Sequence, residues 1–224
     1  RPYTPTTYIR TTTVATVRLT VFGASGSTGQ RVVETAIDRG HSVTAVVGST
    51  APTARFPDSA RVVEADVYEG VGIEAALEDA TVVCNVLRHS KLTPSDYLDV
   101  AGGHILDAME STGVDRYLTV VPATVRHDTD RIGVAEALAV SVLRLLRPTA
   151  TADAAAHVQD VTDRDLKWTV VRVLRLTEGP TTRQYKTGDI TLGVGSVSYG
   201  DVAAFLLDCC ERGIYRRMQP KIRT

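Results

Sequence analysis

A doubly wound α/β fold, one parallel sheet covered by helices on both faces, is what this sequence predicts, and three observations predict it. Short β-branched runs alternate with longer amphipathic segments from residue 17 to about residue 173, the pattern of successive strand–helix–strand crossovers. Most of the short runs are continuously apolar rather than alternating, as they must be when both faces of a sheet are buried. The first run leads straight into Gly23-Ala24-Ser25-Gly26-Ser27-Thr28-Gly29, a glycine string set between a strand and a helix.

The elements follow in order. Residues 17–22 read as the first strand, stopped by Gly23. Residues 28–39 carry Val32, Val33, Ala36 and Ile37 at helical spacing, with Gly40 where a helix end favours glycine. Residues 42–47 and 61–65 are the second and third strands, and residues 73–77 lie within a short helix. Residues 81–87 form the fourth strand. Pro94 opens a helix that runs to Thr112 and ends at Gly113. Residues 117–121 are the fifth strand, and the Ala-rich stretch 132–163 is helical with a break at Pro148. Residues 168–173 are the sixth strand, in which Trp168 reads as core. Beyond Pro180 short strands are expected at 185–192 and 196–198, then a helix over 201–211 whose Val202, Phe205, Leu206 and Cys209 share one face. Arg216, Arg217, Lys221 and Arg223 read as a solvated basic tail. No internal repeat or linker divides the chain, so residues 17–224 are read as one domain, preceded by a loosely held tail over residues 1–16.

Composition narrows the partners. The 224 residues are 43% hydrophobic and 23% charged, the mixture of a globular protein with an ordinary core. With 25 Lys and Arg against 26 Asp and Glu the net charge is −1, which gives no electrostatic case for nucleic acid or a membrane surface as partner. No apolar stretch reaches membrane-spanning length. Residues 1–13, rich in Thr and Pro, lack the apolar middle of a signal peptide. Cys84, Cys209 and Cys210 have neither disulfide nor metal-ligand spacing, so reduced thiols and a cytoplasmic location are expected.

The glycine string carries the chemistry. Glycine is needed where backbone turns tightly and where it must approach a phosphate with no Cβ in the way. The N–H groups and dipole of the following helix then favour a pyrophosphate, and Ser25, Ser27 and Thr28 add hydroxyl donors. The bland alternative is a tight turn without a ligand. Placement between an apolar strand and an amphipathic helix favours a Rossmann-type dinucleotide site.

Together with Glu64-Ala65-Asp66-Val67, Leu166-Lys167-Trp168-Thr169-Val170-Val171-Arg172, Leu176-Thr177-Glu178-Gly179-Pro180 and Val197-Ser198-Tyr199-Gly200-Asp201-Val202-Ala203, the loop resembles the atypical short-chain dehydrogenase/reductases, the group of NmrA-like proteins and the biliverdin/flavin reductase type. The resemblance spans about residues 17–210. It implies NADP, preferred, or NAD as cofactor, and reduction of flavins, quinones or other small conjugated molecules, although some members only sense the cofactor. It places Gly23, Ser25, Gly26, Ser27, Thr28 and Gly29 on the pyrophosphate and Asp66 and Val67 near the adenine, where Asp66 can equally be a strand-end cap. Gly48 stands where the family holds the ribose 2′-phosphate with Arg, leaving Ser49, Thr50 and Arg55 as candidates for that phosphate. No carboxylate ends the second strand, which favours NADP. Leu87 occupies a position the family commonly gives to Gly near the nicotinamide ribose, and Val121-Pro122-Ala123 replaces a common Ser. The Tyr-x-x-x-Lys pair of the main short-chain dehydrogenases is absent from residues 130–160.

Ligands in this fold sit outside the carboxyl ends of the strands. Arg88 and His89, Arg126 and His127, and Arg175 are expected to converge on that rim, where they could hold an anionic or phenolic substrate, with His89 or His127 as proton donor; solvated loop residues are the alternative. His41, His104 and His157 read as surface or structural residues. No metal site is expected, since Asp128 and Asp130 beside His127 have no further His or Cys. The function that follows is an NAD(P)H-dependent reductase of a small conjugated or aromatic molecule. The competing readings are a cofactor sensor without turnover, or a non-redox isomerase or cyclase on the same fold.

Overall fold

The apolar runs pair side by side because neither of their faces meets water: in β1 (Arg18–Phe22) every residue after the first is buried. The computed structural model describes residues 16–49, 56–90, 92–127, 130 and 132–224. After β1 come α1 (Ser27–Asp38), β2 (Ser42–Val47), β3 (Ala60–Glu64), α2 (Ile73–Leu77), β4 (Val82–Asn85) and α3 (Tyr97–Thr112). Then follow β5 (Arg116–Pro122), α4 (Val134–Leu146), α5 (Pro148–Asp163) and β6 (Lys167–Val173). The chain ends with β7 (Leu176–Thr177), β8 (Lys186–Gly188), β9 (Val197–Ser198), α6 (Tyr199–Arg212) and β10 (Lys221–Arg223).

The main sheet runs β3-β2-β1-β4-β5-β6-β10-β8. All its pairings are parallel except β10 with β8. The doubly wound Rossmann-type fold is thus as expected. Strand order reverses between β1 and β4, which opens a crevice at their carboxyl ends, the place where such sheets bind ligands.

Each face has its own core. Ile105, Leu106 and Met109 of α3 meet Val158 and Val161 of α5 on one side, together with Trp168. Val32, Val33 and Ala36 of α1 meet Val202, Phe205 and Leu206 of α6 on the other. Burying each Val, Leu, Ile, Phe or Met side chain is worth about 1.5–3 kcal/mol, so the helices are held mainly by their apolar stripes. Local signals set the ends. Gly113 caps α3 at φ 75, and Arg147, with φ −139 and ψ 59, breaks 132–163 into two helices because a residue before proline avoids the helical region. α3 starts three residues later than Pro94, at Tyr97. The strand expected at 185–192 shortens to β8, and the expected N-terminal tail lies almost wholly outside the described residues.

The basic tail is the main correction. Lys221 and Ile222 are buried, not solvated, and β10 fills the gap between β6 and β8. Its position is fixed by a buried charge network. Lys221 Nζ lies 3.1 Å from Glu136 Oε1 and 3.7 Å from Asp130 Oδ1, and the Arg172 guanidinium takes both oxygens of Asp130. Burial pushes the Asp130 carboxyl upward, but the bonds from Arg172 and the His127 N–H, with the Arg172 and Lys221 charges, hold it below the usual carboxylate range. The cysteines form no disulfide, and burial pushes the Cys84 and Cys209 thiols up to about 12, which keeps them protonated and inert.

Candidate functional site

Three glycines shape the loop for three different reasons. Gly23 turns at φ +79, and a Cβ there would lie 3.0 Å from Leu87 N and Val86 C, so any side chain would strain the turn and press on the end of β4. Gly29 lets α1 lie directly on the loop, since a Cβ would come 2.2 Å from the Gly23 carbonyl oxygen. Gly26 has ordinary backbone angles, φ −76 and ψ 163, and its freedom from a side chain serves the space in front of it. α1 begins there with no side-chain cap and no acidic residue in its first turn. Its first N–H groups are thereby left for an external anion. α6 differs, because Ser198 Oγ accepts the Asp201 N–H at its start.

A cavity of about 530 Å³ opens at the carboxyl ends of β1 to β4, with Gly23, Ser25, Gly48, Ser49 and Asp66 in its wall. The Asp66 carboxylate accepts the N–H groups of Tyr68 and Glu69, each at 3.1 Å. It is therefore the turn cap that the sequence allowed, and it still lines the cavity; Val67 beside it is buried and also lines the wall. Thr50 and Arg55 lie outside the described residues. Sequence reasoning missed Glu64 and Tyr97, which share this wall. Glu64 reads as part of the third strand. Tyr97 reads as part of a helix, and its ring stacks on Tyr68 at 6.2 Å.

A smaller cavity of about 190 Å³ continues past the loop, bounded by Ser27, Thr28, Leu87, Arg88 and Tyr199. Leu87 borders both spaces, as do Gly23, Ser25 and Tyr97, and its N–H is held by Asn85 Oδ1 at 3.0 Å. Beneath it Asn85 Nδ2 donates to the Tyr117 hydroxyl at 2.8 Å, and that hydroxyl stands 3.2 Å from His157 Nε2. Burial pushes the Tyr117 phenol up and the His157 imidazole down to about 4, so this chain is neutral and structural. Tyr199 belongs to the segment Val197 to Ala203. There Ser198 caps α6 and Asp201 accepts the N–H groups of Thr182 and Arg183, each at 2.8 Å, so Tyr199 is the member left to face a cavity.

The rim residues do not converge as expected. Arg88 reaches the loop cavity and, with His89, lines a neighbouring cavity of about 710 Å³. His127 lies in a different cavity of about 240 Å³, with Arg172 and Tyr215. The cause is Asp130, which accepts the His127 N–H at 3.0 Å while bound to Arg172, and so draws the loop after β5 toward β6 and β10. Arg126 is exposed and lines neither the loop cavity nor the space beside His89. His89 has a neighbour at each ring nitrogen. Its Nε2 touches the buried Asp153 carboxylate without the alignment of a hydrogen bond, and its Nδ1 is 3.3 Å from Thr93 Oγ1.

This geometry fits a dinucleotide: an uncapped helix start behind a cradle that a Cβ would fill, continuous with a space of ligand size. A family model described as NAD(P)H-binding matches residues 23–212. The fold is shared with a wide-type short-chain dehydrogenase/reductase of Veillonella parvula in complex with NADP (TM-score 0.75, 17% identity, 93% of this chain and 94% of that one). It is shared also with an oxidoreductase of Lactococcus lactis (TM-score 0.74, 15% identity, 92% and 90%). A third likeness is to a Rossmann-fold NAD(P)-binding family protein of Shigella flexneri (TM-score 0.68, 16% identity, 93% of each). No helix among the described residues is long and apolar enough to cross a membrane.

Proposed function

The chain belongs to the NAD(P)H-binding family, within the atypical short-chain dehydrogenase/reductases that its motifs resemble, and from that premise we propose that it is an NAD(P)H-dependent reductase of a small conjugated or aromatic molecule. The observation that carries the reading is the uncapped start of α1 behind Gly26, which opens on the smaller cavity, while Gly23 and Ser25 of the same loop line both the smaller and the larger one. In this reading the N–H groups of the first turn hold the pyrophosphate with Ser25, Ser27 and Thr28, and Ser49 and Asp66 face the adenosine. NADPH is taken first because β2 runs into Gly48 and Ser49 with no carboxylate for a free ribose hydroxyl, and Glu64 on the neighbouring strand opposes that preference. Bound in this way, the cofactor supplies a hydride. Thr28, Leu87, Arg88 and Tyr199 surround the space left for the acceptor. Positioning and fixed positive charge favour a substrate whose own conjugation takes up the electrons, and no Tyr-x-x-x-Lys pair is needed for that. The test is a screen for substrate-dependent NADPH oxidation across flavins, quinones and enones. Turnover with one class supports the reading, and none with any class, despite tight NADPH binding, overturns it.

One observation favours a second reading, a cofactor sensor without turnover: Leu87, where the family commonly has Gly, puts a side chain on the wall of both cavities. Leu87→Gly distinguishes them. Hydride transfer that appears only in the variant supports the sensor, and equal rates in both proteins rule out Leu87 as a block.

A further inference from the structure

We infer that the cavity beside the loop receives an anionic group, a carboxylate or phosphate carried by the substrate. The inference rests on the reductase reading and names the class of molecule reduced: a conjugated ring bearing an acidic tail. The cavity measures about 710 Å³, and Arg88, His89, Thr93, Leu146, Arg147 and Thr149 are among its walls. Arg88 lines this space and the loop cavity alike, so one moderately long molecule can place its ring at the loop and its tail here.

The charge in this cavity is of one sign. No carboxylate lines it among the described residues, whereas Arg88 and Arg147 both do. Neither guanidinium has an ion pair or hydrogen bond among the described residues. Arg39, Arg164 and Arg172, by contrast, are each paired with carboxylates. An anion entering this space meets two positive charges and, among the described residues, no carboxylate in the lining. The planar fork of each guanidinium matches the two oxygens of a carboxylate or phosphate.

The His89 side of the wall is fixed by contacts behind it. His89 is wedged between the Asp153 carboxylate and Thr93 Oγ1. Asp153, itself buried, accepts the N–H groups of Leu98 and Asp99, each at 2.9 Å. One carboxylate thus ties α5 to the start of α3 and to the loop after β4, and its charge is spent inward rather than on the cavity. Leu146 and Pro148 supply an apolar side for the carbon skeleton of the tail. Arg88 and Arg147 are both exposed, so the fixed part of the site is its His89 wall, and a bound anion orders the two guanidinium groups.

The probes are phenyl phosphate, benzoate and uncharged phenol, titrated into protein saturated with NADP⁺ so that the pyrophosphate loop is already filled. The readout is the ring ¹H–¹⁵N signals of His89. The expected result is saturable movement of those signals by one or both anions, the tighter anion identifying the group, with phenol weaker by about tenfold or more. Arg147→Gln should weaken the anion by about tenfold or more and leave NADPH affinity unchanged, because Arg147 lines neither cofactor cavity; Arg147→Lys should restore part of the loss. Unmoved His89 signals, or equal anion affinity in Arg147→Gln, overturn the inference. Failure of NADP⁺ to bind at all is seen separately as an absent thermal shift and counts against the reductase reading. The same His89 titration in the cofactor-free protein then decides the anion site.

Discussion

Gly26→Ala and Gly29→Ala, three residues apart in one loop, are expected to fail in different ways. At residue 29 a Cβ would lie 2.2 Å from the Gly23 carbonyl oxygen and 2.6 Å from the Ala24 Cα. Both are backbone atoms, so relief requires α1 to move off the loop. Forced overpacking costs about 1–3 kcal/mol, and a chain of this size loses about 2–4 °C in Tm per kcal/mol, so Gly29→Ala should melt roughly 2–12 °C lower. At residue 26 the nearest atom to a Cβ is the Gly23 carbonyl oxygen at 3.4 Å, an ordinary contact, and the backbone suits any residue. Gly26→Ala should therefore melt at or slightly above the parent temperature, since losing a glycine restricts the unfolded chain by about 0.4–1 kcal/mol. Its methyl stands in the wall of the loop cavity, where the pyrophosphate has to approach. NADPH affinity should fall by about tenfold or more, equivalent to about 1.4 kcal/mol. Scanning fluorimetry and a nicotinamide fluorescence titration on both variants check this. A Gly26→Ala protein that binds NADPH like the parent, or that melts as low as Gly29→Ala, would refute the reasoning.

Three further outcomes are expected. The His157 imidazole is held neutral by burial, at about 4 against an ordinary 6.5. The unfolded chain takes up that proton first, so stability is full above pH 6.5 and lost as pH falls toward 4, by about 2 kcal/mol at pH 5; urea unfolding at pH 7 and pH 5 measures it, and the same slope in His157→Gln would contradict it. Lys221→Ala leaves the buried Glu136 carboxylate without its near cation and should cost about 3–5 kcal/mol, much of it recovered in Lys221→Met with Glu136→Leu; an unchanged urea midpoint for Lys221→Ala would show that β10 does not depend on the pair. A Cβ at Gly48 meets nothing within 4 Å, so Gly48→Arg should fit and raise the preference for NADPH over NADH by about tenfold, through charged bonds worth about 1.5–3 kcal/mol. An unchanged ratio of the two dissociation constants would mean that the ribose lies elsewhere.

What could be read from the sequence was whatever depends on neighbours along the chain. The run that became β2 has the boundaries predicted for it, residues 73–77 lie in a short helix as expected, and Gly113 and Pro148 end their helices by local backbone chemistry. The phosphate loop is legible for the same reason: its three glycines act within seven residues. Partners far apart in sequence were not legible. Lys221-Ile222-Arg223 reads as a charged tail, and it is a buried strand because Glu136, 85 residues away, waits for Lys221. His89 and His127 both follow strands that end on the same rim, and only the Asp130–Arg172 pair, 42 residues apart, shows that the second loop is drawn away. Tyr199 stood inside a motif already singled out, and its place facing a cavity is evident only once Ser198 and Asp201 are seen to be occupied with the start of α6.

The central claim, that the loop from Gly23 to Gly29 binds a nicotinamide dinucleotide, is tested most directly by titrating the purified protein with NADPH and NADH while following nicotinamide fluorescence and thermal stability together. Saturable binding of NADPH, with a rise in Tm and altered nicotinamide emission, is the result expected if the pyrophosphate sits on α1 and the reacting end lies beside Leu87 and Arg88. Neither cofactor shifting the Tm nor changing its emission would contradict the claim.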